Sequence, residues 1–163
     1  MNRQKSLTES DKGFLAGLEI LRRYCCFQER TIKDVKIKAA KAGMNVSQIE
    51  KALDILIDED YLNEQRYAQS FVSGKMMHNK WGRIKIRSEM KQKQIDGDII
   101  ESALQAINLQ DYEQLLISVI EKKALILQQK NEADIRAKLI RYALSKGFEY
   151  EMISSVVIEI LKR

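Results

Sequence analysis

The chain has 163 residues, 45% of them apolar and 31% charged, which is enough hydrophobic material for a packed core. It holds no proline, where average usage of roughly 5% would supply about eight; this argues against a Pro-punctuated sandwich, a Pro-rich linker or a collagen-like chain, and predicts uninterrupted helix. The 28 lysines and arginines outnumber the 23 aspartates and glutamates, for a net charge of +5, a surplus that suits an anionic partner.

The first dozen residues, MNRQKSLTESDK, lack the apolar run of a signal peptide, and no stretch reaches the roughly 18 apolar residues of a membrane span, so a cytosolic protein with a short frayed N-terminus is expected. Phe14, Leu18, Leu21 and Cys25 form a first, loose apolar stripe. Cys25 and Cys26 are adjacent, a spacing that suits neither a disulfide nor a C-x-x-C metal or redox motif, and both read as small buried residues. Thr31 is a candidate N-cap ahead of Val35 and Ala39. Lys41-Ala-Gly-Met44 then reads as a helix end, with a cation at the negative pole and a glycine able to turn left-handed. Ile49, Ala52, Leu53, Leu56 and Ile57 follow at the i, i+3, i+4, i+7, i+8 spacing of an amphipathic helix.

The same sentence is then repeated. Asn63 caps a stripe of Ala68, Phe71, Val72 and Met76; Gly82 precedes Ile86 and Met90; Lys93-Gln-Ile95 is the turn; Ile100, Ala103, Leu104 and Ile107 form the last helix. Leu116, Val119, Ile120, Ala124 and Leu127 open a third copy, in which Asn131 caps, Leu139 and Ala143 lie inward, Lys146-Gly-Phe148 turns, and Ile153, Val156, Val157, Ile160 and Leu161 close. The copies are offset by 51 and then 53 residues. Residues 1–13 are therefore expected as a flexible N-terminus, followed by three-helix modules at 14–60, 61–108 and 109–163. The predicted fold is all-α, three tandem three-helix repeats stacked into an elongated, curved helical array, because a unit of this size buries too little alone. A single compact helical bundle is the alternative.

Enzyme chemistry finds few candidates. His78 is the only histidine, so neither a His pair for a metal nor a choice of general bases exists. Gly74-Lys75 resembles the end of a phosphate loop, yet Met76 stands where Ser or Thr should bind magnesium and Gln69 where the earlier glycine should be. Asp58, Glu59 and Asp60 read as a solvated helix end. No catalytic residue, metal or cofactor is expected.

Charge is unevenly placed. Lys75 to Lys93 holds seven basic residues against Glu89 alone, Arg22 to Lys41 holds seven against Glu29 and Asp34, and Ser47 to Arg66 holds six acids against two bases. At roughly 100° per residue, Lys80, Arg83, Arg87 and Lys91 share one helix face while Ile86 and Met90 point to the core. Lys85 and Lys93 add to this helix, and Arg136, Lys138, Arg141 and Lys146 continue the habit in the third module. Such a stripe suits a phosphate backbone or an acidic protein groove; an ordinary solvated face is the plainer reading. For Trp81, beside Lys80 and Arg83, stacking or anchoring and a hydrophobic staple into the core both stand.

Asp60-Tyr-Leu-Asn-Glu-Gln-Arg-Tyr-Ala68, Gly82-Arg-Ile-Lys-Ile-Arg-Ser-Glu-Met90 and Ile100-Glu-Ser-Ala-Leu104 together resemble the core signature of the RecX family of bacterial recombination regulators. Lys138-Leu-Ile-Arg-Tyr-Ala-Leu-Ser-Lys-Gly-Phe148 resembles that family's C-terminal motif. The resemblance covers about residues 14 to 162. Departures are Asn63 for the usual aspartate, Gln94 for the glycine that usually ends the helix, and Thr31 and Asp34-Val35 for Ser and Glu-Leu in the first module.

The resemblance implies a non-enzymatic modulator that lies in the groove of a RecA filament on DNA and inhibits strand exchange and ATP hydrolysis, with some weaker affinity for single- or double-stranded DNA itself; a monomer without a membrane partner is expected. Lys80, Trp81, Arg83, Lys85, Arg87, Lys91, Lys93, Arg136, Lys138 and Arg141 are the candidate contacts. A DNA-binding module acting without a recombinase is the alternative, and a scaffold for an unrelated acidic protein is a third.

Overall fold

A computed structural model describes residues 8–127 and 131–162. It is all-α, as the apolar spacing predicts. Nine α-helices occur among the described residues: α1 (Glu9–Phe27), α2 (Ile32–Lys41), α3 (Val46–Asp58), α4 (Glu64–Gly74), α5 (Arg83–Gln92), α6 (Gly97–Gln105), α7 (Leu109–Ile126), α8 (Glu132–Lys146) and α9 (Tyr150–Leu161). A π-helical turn, Lys75–Asn79, continues α4, a feature that no sequence signal announced. None of these helices is long and apolar enough to cross a membrane.

The chain divides into two compact units, Met1–Tyr67 and Ala68–Arg163. In the first, α1, α2 and α3 pack against one another around Leu18, Leu21, Val35, Ala39, Ala52 and Leu56, all buried. Thr31 is the only buried polar residue among those described. It caps α2, its Oγ1 accepting from the Asp34 amide at 3.1 Å while the Asp34 carboxylate accepts from the Thr31 amide at 3.3 Å, so two end-of-helix donors are satisfied away from water. Asn63 and Asn131 cap α4 and α8 with single bonds, accepting from the amides of Arg66 at 2.9 Å and Ala133 at 3.0 Å. Arg22 is clamped on Glu59, and Arg66 on Glu29 and Asp60. One expectation is corrected here: Cys25 is buried, but Cys26 is exposed, because two adjacent helix residues lie about 100° apart and cannot share one narrow buried stripe.

In the second unit α7, α8 and α9 pack pairwise and α5 packs on α6. Tyr112, Leu116, Ile120, Leu139, Phe148 and Ile153 are buried at its centre, with the rings of Tyr112 and Phe148 5.3 Å apart. Ile86, Met90, Ile100 and Leu104 are buried beneath α5 and α6.

The repeat is most visible in its turns. Gly43, Gln94 and Gly147 take positive φ, at 83°, 63° and 88°, spaced by the sequence's own 51 and 53 residues. Each turn carries the same pair of backbone bonds. Gly43 donates to Ala40, Gln94 to Lys91 and Gly147 to Leu144, while Met44 donates to Ala39, Ile95 to Met90 and Phe148 to Ala143. This is the Schellman arrangement, in which a left-handed residue lets the chain satisfy carbonyls left over at a helix end and drops an apolar side chain onto the last turn. Met44, Ile95 and Phe148 are buried accordingly.

Candidate binding surface

Helix α5 begins where α8 ends. The amide of Gly82 donates to the Lys146 carbonyl at 2.8 Å and that of Ile84 to the Gly147 carbonyl at 3.0 Å. The Arg83 amide donates to Tyr112 Oη at 2.9 Å, and Tyr112 Oη donates onward to Glu149 Oε2 at 2.7 Å. Burial and the neighbouring Glu149 carboxylate push the Tyr112 phenol well above its usual value, so it stays a donor. Donors that a helix start leaves unpaired thus meet acceptors that a helix end leaves unpaired, and the two dipoles meet with opposite signs.

Around this junction lie two aromatic rings, each with two ammonium groups. Trp81 has Lys75 Nζ at 4.9 Å and Lys85 Nζ at 4.8 Å from its ring centroid; Tyr142 has Lys123 Nζ at 5.1 Å and Lys146 Nζ at 5.7 Å. The two groups reach across to one another. Lys85 Nζ donates to the Ser145 carbonyl and Lys146 Nζ to the Asn79 carbonyl, each at 3.4 Å. Lysines supported on aromatic faces are held in place yet keep donors for an incoming anion.

The candidate contacts divide around this arrangement. Trp81 and Lys85 belong to it, both partly exposed. Lys80, in a left-handed conformation at φ 56°, ends the π turn immediately before Trp81. Arg83 does not project with them: its guanidinium carbon sits 4.4 Å over the Tyr112 ring, and its Nε is buried with no hydrogen-bond partner among the described residues. Arg87 is taken up by Glu101, with Nε to Oε1 at 2.6 Å and a second nitrogen to Oε2 at 2.9 Å. The helical-wheel face expected from Lys80 to Lys91 therefore holds two arginines engaged inside the unit, with Lys91 exposed at its far end and Lys93 partly exposed. On α8, Arg136 and Arg141 are exposed and Lys138 partly so.

Sequence reasoning counted Lys75 and Lys146 among the basic residues without naming either as a contact, and it passed over Lys123 and Tyr142. A signal was present. Phe71 and Lys75, Trp81 and Lys85, and Tyr142 and Lys146 are all aromatic-then-lysine pairs four residues apart, the spacing that stacks side chains on a helix; Lys75 Nζ also lies 5.2 Å from the Phe71 ring. Among the described residues no group of three or more His, Cys, Asp or Glu side chains is placed to hold a metal ion.

Two family models match, "RecX, second three-helix domain" over residues 63–104 and "RecX, third three-helix domain" over residues 110–157, which together take in more than half of the chain. The chain belongs to the RecX family. Among relatives, "Regulatory protein RecX" of Clostridium perfringens is 30% identical over 131 residues, covering 78% of this chain and 60% of that protein. The protein of the same name from Streptococcus agalactiae is 33% identical over 137 residues, covering 82% and 51%. The chain thus spans between half and about three fifths of the length of these curated RecX relatives. The crystal structure of RecX from Lactobacillus salivarius superposes with a TM-score of 0.85 at 26% identity, over 91% of this chain and 97% of that one. A second crystal structure of regulatory protein RecX, at a TM-score of 0.80 and 21% identity over 99% and 82% of the two chains, shares the fold. The RecX fold is therefore the helical repeat that the 51- and 53-residue offsets describe.

Proposed function

We propose that this chain is a non-enzymatic regulator that binds the RecA filament on DNA and inhibits its strand exchange and ATP hydrolysis. The observation that carries the reading is the pair of lysine–aromatic clusters brought together where α5 meets α8. Family membership supplies the recombinase as target, and the relatives' designation as regulatory proteins agrees with a chain that offers no catalytic constellation in its sequence. Four ammonium groups around Trp81 and Tyr142, with Lys80 beside them, form a cationic patch suited to a polyanionic helical polymer. Lys91, Lys93, Arg136, Lys138 and Arg141 extend the proposed contact. Arg83 and Arg87 are engaged with Tyr112 and Glu101 instead.

The test is charge reversal at the junction. Lys85→Glu combined with Lys146→Glu should abolish inhibition of RecA's DNA-dependent ATPase at moderate salt, and unchanged inhibition overturns the assignment. Aromatic rings beside lysines also favour a second reading, a module acting on DNA alone. Titration against naked DNA and against filament at equal salt separates the two, since equal affinity for both would favour the second.

A further inference from the structure

Gly82 starts α5 without a side-chain hydrogen bond, where Ser, Asp or Asn would supply one and cap an isolated helix somewhat better than glycine does. The reason lies across the junction. A Cβ at Gly82 would stand 2.3 Å from the Gly147 carbonyl oxygen and 2.5 Å from the Phe148 nitrogen. The relation is mutual, because a Cβ at Gly147 would stand 2.4 Å from Lys85 Cβ and 2.5 Å from the Lys85 nitrogen, at a φ of 88° that already favours glycine. Two backbones approach with no room for any side chain on either.

What this approach sets is the spacing of the two lysine–aromatic clusters. One is carried by the π turn and the start of α5, the other by α7 and the end of α8. Trp81 and Tyr142 are some sixty residues apart in the chain, and the direct docking of Gly82 on Gly147 lies between the contacts of Lys85 with Ser145 and of Lys146 with Asn79. An N-cap with a side chain would satisfy α5 locally and push α8 away. The choice of glycine gives up local capping and secures close approach.

We propose that Gly82 and Gly147 are positioning residues, whose mutual capping joins the two lysine–aromatic clusters into one continuous site for a polyanionic strand. This rests on the assignment of the clusters as the binding surface in the proposed function. Two half-sites held rigidly at the right separation act as one bivalent site, and overall affinity then exceeds that of either half by orders of magnitude, an advantage lost when the geometry slips.

The experiment uses the full chain and a fluorescein-labelled oligothymidylate, with affinity measured as a function of salt. Gly82→Ala, checked by circular dichroism for native helix content, should bind at least about tenfold more weakly and with a shallower log-affinity against log-salt slope, since each single-strand phosphate neutralised contributes about 0.7 to that slope. A merely structural role would lower the melting temperature without changing the slope, so a folded variant with the parental slope overturns the proposal. Independently of that variant, the unaltered chain should bind an oligothymidylate of about six nucleotides one to one. Lys75→Ala with Lys85→Ala, and Lys123→Ala with Lys146→Ala, should each weaken that same complex. Two oligonucleotides per chain, no binding, or sensitivity to one pair alone would each overturn it. Oligonucleotide binding that passes these tests in a chain that leaves RecA's ATPase untouched would sink the recombinase assignment and leave the positioning role standing.

Discussion

Arg87 on α5 holds Glu101 on α6 through two parallel hydrogen bonds, at 2.6 and 2.9 Å. The pair is partly exposed, with 32% and 46% of the two side chains open to solvent, so water screens it, but the two-pronged geometry puts it at the upper end of surface pairs, at about 0.5–1 kcal/mol. The same contact carries a pH signature. The hydrogen bond from Arg87 holds the Glu101 carboxyl below its usual range, ahead of an opposing desolvation effect.

A carboxylate with a folded-state pKa below its unfolded value contributes stability above the unfolded value, near pH 4.3, and loses it as pH falls through the folded one. Glu101→Gln should therefore lower the urea midpoint at pH 7 and change it little near pH 2. An equal loss at both pH values would contradict the ion pair as the source of stability. Because Arg87 is spent on this contact, Arg87→Ala should leave salt-dependent DNA binding close to that of the parent chain.

Gln94 occupies the left-handed position that Gly43 and Gly147 fill in the other two turns. A non-glycine residue there bears a steric cost of roughly 1–2 kcal/mol, partly offset because glycine loses more freedom on folding. Gln94→Gly should raise stability by about 0.5–1 kcal/mol, or about 2 °C in melting temperature for a chain of this size. No clash opposes it, since removing a side chain from an exposed position adds nothing to pack. Urea unfolding checks the sign, and a destabilised variant would refute the strain.

Thr31→Ala removes both the cap of α2 and a hydroxyl in a fully buried position. A loss of about 1–2 kcal/mol is expected, at the upper end for caps because the freed Asp34 amide has less access to water. Thr31→Ser should recover most of it in equilibrium unfolding, and a serine variant as unstable as the alanine one would assign the loss to the methyl group instead.

The turns, caps and inward stripes were legible because each is local. Thr31, Asn63 and Asn131 cap the amides two or three residues ahead of them, and the left-handed residue falls one or two residues after the lysine of each turn. The surface was less legible because its pairings cross the chain. Arg87 finds Glu101 fourteen residues on and Arg83 finds Tyr112 twenty-nine on, so a helical wheel drawn on α5 alone assigns both to the open side. Gly82 showed the opposite limit: glycine before a helix reads as a cap, and only the Gly147 carbonyl explains why nothing larger stands there. The π turn left no mark, since Lys75–Asn79 has the composition of an ordinary helix end.

Trp81 is the sole tryptophan, and Lys75 and Lys85 lie against its ring. Its fluorescence should change when a polyanion draws those ammonium groups away, with the change reversed by salt. Lys85→Ala should alter the starting emission and reduce the response. A strand that binds without disturbing emission would place contact away from the first cluster.

Cys25 and Cys26 should separate by reactivity. Burial pushes the Cys25 thiol up to about 11, so at pH 8 it is both inaccessible and protonated, and the thiolate is the reactive form. Cys26 is exposed. Native protein treated with a thiol-specific disulfide reagent at pH 8 should release one equivalent quickly, and the second only on the timescale of unfolding or after denaturant is added. Peptide mapping should place the fast label on Cys26, and a Cys26→Ser variant should remove the fast phase entirely. Two fast equivalents in that native protein would mean that the C-terminal turn of α1 opens readily, contrary to the packing of Cys25 with Leu21 and its neighbours in the first core.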